Sequence, residues 1–232
     1  MAREPVTLVL EGLDGVGKST VAALLAAQLD AVALRTPPAV LEPFRARFTA
    51  GAPDSSVRRT YYDLGNCLAG AEMAAARAAG RHAVCDRYHA STVAYVLGQR
   101  AGSDAELPPL GDAAYAWPAD LPRPSHMVLL TLPEPERLAR RAARTSVGET
   151  LEEAVLRQRA AVGARINEAY RRLGCVEVSA AGPPEAVAAA VLAAVGVPPG
   201  PAAGGACAGG GGAPPAAGGL TRGAGAAARP VA

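Results

Sequence analysis

Residues 11–20 read EGLDGVGKST, and the stretch from Gly12 to Ser19 fits the spacing G-x-x-x-x-G-K-[ST]. An apolar run precedes it at 6–10 and an Ala/Leu-rich segment follows at 19–30. That is the strand-before, helix-after context in which this spacing carries meaning, and it weighs against a chance Gly-rich turn. Glycines let backbone N–H groups turn inward onto phosphate oxygens, and the start of a helix adds partial positive charge. Lys18 is expected to bridge the β- and γ-phosphates of a bound nucleotide, with the Ser19 hydroxyl on Mg2+. The expected nucleotide contacts run through Gly12, Leu13, Asp14, Gly15, Val16, Gly17, Lys18, Ser19 and Thr20. One member is out of place: Asp14 puts a carboxylate inside a cradle for anions.

A second group follows the apolar run His82-Ala83-Val84-Cys85, where Asp86-Arg87-Tyr88 begins. An acid at a strand end beside a phosphate loop suits Mg2+, and a neighbouring arginine can clamp a phosphoryl group through two parallel N–H donors. A salt-bridged turn is the plainer account of any Asp-Arg pair, but the phase relative to the glycine loop favours the functional one. Arg137, Arg140, Arg141 and Arg144 recur at helical spacing and run into the polar stretch 145–150. They read either as a closing lid that brings cations to a transferring phosphate or as a solvated basic face. Tyr61 and Tyr62 are a base-stacking surface or core aromatics. Trp117 reads as a loop anchor, and His89 as a loop histidine without a role.

The elements that must position these groups alternate. Short apolar strands are expected at 6–10, 31–34, 82–85, 127–132 and 175–178, with helices at 19–30, 55–79, 91–99, 134–143, 151–172 and 184–195. Strands separated by helices imply an α/β fold with a parallel sheet covered on both faces, its ligands beyond the carboxyl ends of the strands. The Pro/Gly-rich passage 102–125 is expected to be an ordered loop. Residues 1–197 form one domain on this reading. Residues 198–232, almost free of large apolar side chains, are expected to be a disordered Ala/Gly/Pro-rich tail.

The composition excludes several classes. A net charge of +2 argues for neither nucleic acid nor a membrane surface as partner, and no apolar run approaches the ~20 residues that span a bilayer. Cys67, Cys85, Cys175 and Cys207 lie far apart and show no zinc-ligand spacing, which suits free, mostly buried thiols in a reducing compartment. The first residues hold neither a secretory apolar core nor room for a transit helix, so the chain is expected to be intracellular, and cytoplasmic if complete as given.

Taken together, these residues resemble the thymidylate kinase family over about Val6 to Val195. EGLDGVGKST is similar to the family's phosphate loop, Asp86-Arg87-Tyr88 to its DR[YH] motif, and WPADLPRPSHMVLLTLPEPERLARR to its segment from acceptor pocket to lid. The resemblance implies a P-loop nucleoside monophosphate kinase fold, a doubly wound, five-stranded parallel sheet with a lid. It implies that Asp14 contacts the sugar of the acceptor nucleotide, that Ser91 and Tyr95 line the acceptor pocket, and that a homodimer forms. RRTYYDLGNCLAGAEMA, CDRYHASTVAY and LPPLGDAAYAWPADLPRP are similar, more narrowly, to the thymidylate-kinase-like mitochondrial UMP-CMP kinases. That branch implies ATP as the donor held by residues 12–20, Mg2+, a mitochondrial setting, and CMP, UMP, dCMP or dUMP as acceptor.

Three departures bear on the substrate. If Tyr61 is the stacking aromatic, Gly65 stands where thymidylate kinases carry an arginine, which weakens dTMP as acceptor. Pro37-Pro38-Ala39 replaces the family's Pro-Glu-Arg, leaving Arg87, or more weakly Arg59, for the acceptor phosphate. Gly15 follows the loop acid where some members have an arginine, and such members draw the catalytic arginine from the lid, here Arg144, or Arg140 or Arg141. The rival readings are a dTMP kinase and a non-catalytic nucleotide-binding module; a guanine-reading N-K-x-D segment is absent.

Overall fold

The computed structural model describes residues 4–51, 55–99, 107–143 and 160–199. Five strands form one parallel sheet: β1 (Thr7–Glu11), β2 (Val32–Arg35), β3 (Ala83–Asp86), β4 (His126–Thr131) and β5 (Val176–Ser179), in the order β2-β3-β1-β4-β5. β1 is central and buried along its whole length, as a strand covered on both faces must be. The expected strands are all present, within a residue or two at their ends.

Register sets the site. Leu10 lies opposite Asp86 on one side of β1, and Glu11 opposite Leu129 on the other. The chain therefore leaves β1 and β3 at the same edge of the sheet, side by side. The order of strands reverses at β1, the place where ligands bind in open α/β sheets.

The helices among the described residues are α1 (Lys18–Leu29), the short α2 (Arg45–Thr49), α3 (Ser56–Ala78), α4 (His89–Gln99), α5 (Glu134–Ala142), α6 (Ala160–Arg172) and α7 (Pro184–Val195). α1 packs on α7, and α4 packs on α6 and α3. The passage 107–125 is irregular apart from a 3-10 turn at Ala113–Tyr115, and it is tied down as expected of an ordered loop. Trp117 Nε1 donates to the Leu121 carbonyl at 2.8 Å and Arg172 Nη1 to that of Pro108 at 2.7 Å.

The structure differs from the sequence-based expectation at two places. Residues 39–49, which carry no helical expectation, form a 3-10 segment (Ala39–Phe44) running into α2. Helix α4 begins at His89, at the very end of the DRY motif, rather than at residue 91. The expected helix 151–159, the polar stretch 145–150 and residues 200–232 of the expected tail lie outside the described residues. Cys85 and Cys175 are buried and Cys67 is exposed, all as free thiols. No described helix is long and apolar enough to cross a membrane.

Gly98 tests the tightest of these contacts. A Cβ there would overlap the Ile166 side chain and come within 3.1 Å of the Ile166 backbone nitrogen. Inside a helix, Gly→Ala ordinarily stabilises by up to ~1 kcal/mol. Gly98→Ala is expected to go the other way, destabilising by about 1–3 kcal/mol through overpacking. Urea denaturation reads the sign directly, and a gain in stability would show that α4 and α6 stand further apart.

Candidate active site

The glycine loop joins β1 to α1 and ends on Gly17, the residue that caps α1 in a left-handed conformation. Lys18 opens the helix and is almost wholly buried; its ammonium donates to the Leu13 carbonyl at 2.9 Å and lies 3.7 Å from Asp14 Oδ1. Burial and the Arg87 cation lower its pKa from 10.5 to about 8, against the opposing pull of Asp14, Asp86 and Glu11. Phosphate oxygens would supply the further partners that such a buried cation needs.

Ser19, one residue on, donates its hydroxyl to Asp86 Oδ2 at 2.5 Å. The other carboxylate oxygen of Asp86 is buried and has no hydrogen-bond partner among the described residues. A hydroxyl and a carboxylate side by side, with one oxygen to spare, fit Mg2+, which takes oxygen donors and keeps most of its shell as water and phosphate. No cluster of three or more His, Cys, Asp or Glu side chains suited to a metal occurs among the described residues.

Arg87 is the hub. Its backbone is left-handed (φ 70°), uncommon for a residue with a side chain, and its N–H is pinned to the Leu10 carbonyl at 2.9 Å. The turn from β3 into α4 is thus fastened to the end of β1, and the guanidinium is thrown toward the glycine loop. Nη2 donates to Asp14 Oδ1 at 2.5 Å and lies 3.3 Å from the Tyr95 hydroxyl, and Nη1 donates to Ser91 Oγ at 3.0 Å. The Tyr95 ring lies against the guanidinium, 5.3 Å from centroid to Cζ. Burial disfavours the charge on Asp14, but Arg87 and Lys18 overcome it and hold the carboxyl well below the ordinary range.

The basic helix does not carry a purely solvated face. Arg137 is almost fully buried, with Nη1 donating to the Asp14 carbonyl at 3.1 Å and Nη2 lying 3.6 Å from Glu134. Arg140 Nη1 reaches the Val16 carbonyl at 3.5 Å. A Cβ on Gly15, whose φ is +94°, would come within 2.6 Å of Arg141 Cγ and 2.9 Å of the Arg137 carbonyl oxygen. The room a side chain at residue 15 would need is filled by the arginine helix. Arg144 lies outside the described residues.

The structure also sorts the remaining expectations. Tyr61 is 2% exposed, with its hydroxyl on the Leu41 carbonyl at 3.2 Å and its ring against Phe48 and Tyr62. This places it in the packing, and Tyr62 is the more open of the two rings. Arg59 is exposed and 3.5 Å from Asp63, a surface ion pair. Gly65 lies against Pro37, 3.2 Å from where its Cβ would be, and Asn66 is buried with its amide donating to Thr92 Oγ1 at 2.9 Å. His89 is not a free loop residue: it is buried edge-on against Trp117.

Two groups escape the sequence reading. Glu11, fully buried at the end of β1, accepts from Tyr88 N–H at 3.0 Å and from Ser91 Oγ at 2.5 Å. Tyr170, from α6, brings its hydroxyl to 2.9 Å from Ser91 Oγ and 3.4 Å from Arg87 Nη1. Glu11 is visible in sequence only as an acid that ends an apolar run, and Tyr170 carries no local signal at all.

Comparison with known proteins gives concordant matches. A family model described as thymidylate kinase matches residues 10–191. The human protein UMP-CMP kinase 2, mitochondrial, is 34% identical over 188 residues, covering 80% of this chain. The chain spans 41% of that relative's length. Among solved structures, thymidylate kinase from Candida albicans, described as having broad substrate specificity, superposes with a TM-score of 0.60 at 17% identity. That match covers 83% of this chain and 92% of the other, and it speaks for the fold.

Burial raises the Glu11 pKa from 4.5 to about 7, and the hydrogen bonds from Ser91 and Tyr88 and the charges of Arg87 and Lys18 offset only part of the rise. The folded protein then binds more protons than the unfolded chain between those two values, so this group's contribution to stability falls as pH rises through the window. Glu11→Gln removes the titration. Urea midpoints measured from about pH 5 to about pH 8 should show the variant gaining on the wild type, whereas parallel curves would mean that Glu11 ionises as easily folded as unfolded.

Proposed function

Because the chain belongs to the thymidylate kinase family, we propose that it moves the γ-phosphoryl group of ATP onto the 5′-phosphate of a pyrimidine nucleoside monophosphate. CMP, UMP, dCMP and dUMP are the proposed acceptors. The observation that carries this reading is the placement of Asp14 Oδ1 between two cations, 3.7 Å from Lys18 and 2.5 Å from Arg87. Lys18 belongs to the donor side and Arg87 to the acceptor side, so the two phosphates are brought together across one short ionic bridge.

The work asked of the protein is positioning and charge neutralisation, without a covalent intermediate. Lys18 and the loop N–H groups hold the β- and γ-phosphates, and Arg87 aligns the acceptor phosphate. Ser19 and Asp86 would hold Mg2+, which supplies charge neutralisation on the donor phosphates when bound. Asp14 offers its second carboxylate oxygen to a sugar hydroxyl while its first stays on Arg87. The arginine that stabilises charge on the moving phosphoryl comes from the α5 side, where Arg140 and Arg141 already overlie the loop, or from Arg144 beyond it. Ser91 and Tyr95 line the acceptor side.

The choice among pyrimidines rests on one support: the human relative's name gives UMP and CMP. dTMP is the second reading, favoured by the family description and by the solved thymidylate kinase. A mitochondrial setting is supported only by the relative's name.

A coupled assay with ATP and each of CMP, UMP, dCMP, dUMP and dTMP separates the readings. Turnover with the first four supports the proposal, and a dTMP rate far above them makes the enzyme a dTMP kinase. Tight ATP binding with no acceptor-dependent ADP release would leave a silent nucleotide-binding module. With the working acceptor, Lys18→Ala is expected to lower kcat by at least ~10²-fold, the scale of removing a charge-stabilising donor. Asp14→Asn is expected to raise KM for the acceptor well beyond any change for ATP, and equal effects on both would argue against a sugar contact.

A further inference from the structure

Glu11 is a fully buried carboxyl to which phosphoryl transfer by Lys18, Arg87 and the lid arginines gives no role. Its two oxygens are both engaged, one by Tyr88 N–H and one by Ser91 Oγ. Ser91 Oγ also meets Arg87 Nη1 at 3.0 Å and Tyr170 Oη at 2.9 Å. The directions of these bonds follow from the chemistry of the partners. An ionised carboxylate only accepts, a guanidinium only donates, and a serine hydroxyl has one hydrogen and two lone pairs. Ser91 must therefore give its hydrogen to Glu11 and turn its lone pairs to Arg87 and Tyr170. Every hydrogen and every lone pair of that hydroxyl is then used.

We propose that Glu11 is a positioning residue for phosphoryl transfer: by taking the Ser91 hydrogen and the Tyr88 N–H, it fixes the hydroxyl that holds Arg87 in line with Asp14 and the glycine loop. The inference rests on the kinase reading and adds to it a residue that never touches substrate. Glutamine at 11, or glutamic acid in its protonated form, presents a donor where Ser91 needs an acceptor. Ser91 can then accept from both Arg87 and residue 11 only by turning its own hydrogen to Tyr170, whose hydrogen must find another acceptor, so the bonds that hold Arg87 compete with one another.

The charged and titratable groups around Glu11 come from every side. They are Arg87 after β3, Lys18 on α1, Tyr170 on α6, and the Cys85 and Cys175 thiols, whose pKa values are raised first by burial and then by Glu11 itself. Arg87 and Lys18 favour the ionised carboxyl, while burial opposes it and places its pKa at about 7. The acceptor form of Glu11 is therefore lost as pH falls through neutrality.

The test uses the full chain and steady-state kinetics with whichever acceptor turns over best, on wild type, Glu11→Gln, Ser91→Ala and the double variant. Each single change should lower kcat by about 10- to 100-fold, the scale of a small misplacement of a binding group, with KM for ATP nearly unchanged. The double variant should be no worse than Ser91→Ala, because Glu11 acts through Ser91. Wild-type kcat should rise with pH through a limb near 7 that both single variants lack. Multiplying effects in the double variant, or a limb that persists in either single variant, overturns the proposal. Should Glu11→Gln not fold, the pH profile of Ser91→Ala decides alone: loss of the limb supports the role and its retention overturns it. A wild type without acceptor-dependent turnover overturns the kinase reading and this inference with it, an outcome distinct from the other failures.

Discussion

The ion pair between Asp14 and Arg87 is the interaction on which the rest of the site depends. A guanidinium drawn into the protein is tolerable only when a carboxylate meets it in good geometry and its other hydrogens find acceptors. Asp14 and the hydroxyls of Ser91, Tyr95 and Tyr170 take the Nη1 and Nη2 hydrogens. The same Asp14 oxygen also faces Lys18. One carboxylate thus moderates two cations before any nucleotide arrives. The carboxylate within an anion cradle then ceases to be a contradiction. It keeps the loop from being a cluster of repelling positive charges and holds Lys18 and Arg87 in a fixed relation to each other.

This arrangement is possible because of register in the sheet. Leu10 opposite Asp86 brings the ends of β1 and β3 together, and the Leu10 carbonyl takes the Arg87 N–H at the left-handed turn. A slip of one residue would turn the Asp86 and Arg87 side chains to the other face of the sheet. The buried apolar side chains of β1, β3 and β4 specify that register. Hydrophobic packing thereby acts at a distance on the geometry of the charges, and α4, which starts directly after the turn, carries Ser91 and Tyr95 to the same edge.

Much of this was legible in the sequence, for identifiable reasons. The strands are continuous apolar runs, a pattern that survives without knowledge of partners. The glycine loop is a fixed spacing whose members serve local backbone geometry. Ser19 and Asp86 could be paired because the glycine loop that leads to Ser19 and the strand that ends on Asp86 both lie at carboxyl ends of the sheet. What the sequence left open or hidden depends on contacts between distant segments. Arg137 has a spacing that reads either as a lid or as a solvated helix face, and only the packing of α5 on the glycine loop buries it. Tyr170 is one more residue on an amphipathic helix until α6 meets α4. Tyr61 and Tyr62 are adjacent letters, and the 3-10 segment at 39–44, unforeseen because Pro43 interrupts it, decides which of them is covered. Glu11 looks like the first polar residue of a loop, when it is the last residue of a buried strand.

Gly15 and α5 show how one small residue redistributes roles. At φ +94° the position suits glycine, and the space beyond it is taken by the Arg141 stem and the Arg137 carbonyl. A larger residue there would push α5 off the loop, taking Arg137 from the Asp14 carbonyl and Arg140 from Val16. The glycine is therefore less an absence of a side chain than the condition for the helix to sit where it does. By lying on the loop, α5 sets its arginines beside the phosphate cradle. A cation contributed from residue 15 and a helix packed on residue 15 are mutually exclusive, since they need the same volume. This chain has the helix, so the cations lying over the glycine loop come from α5, with Arg140 at the Val16 carbonyl and the Arg141 stem against Gly15.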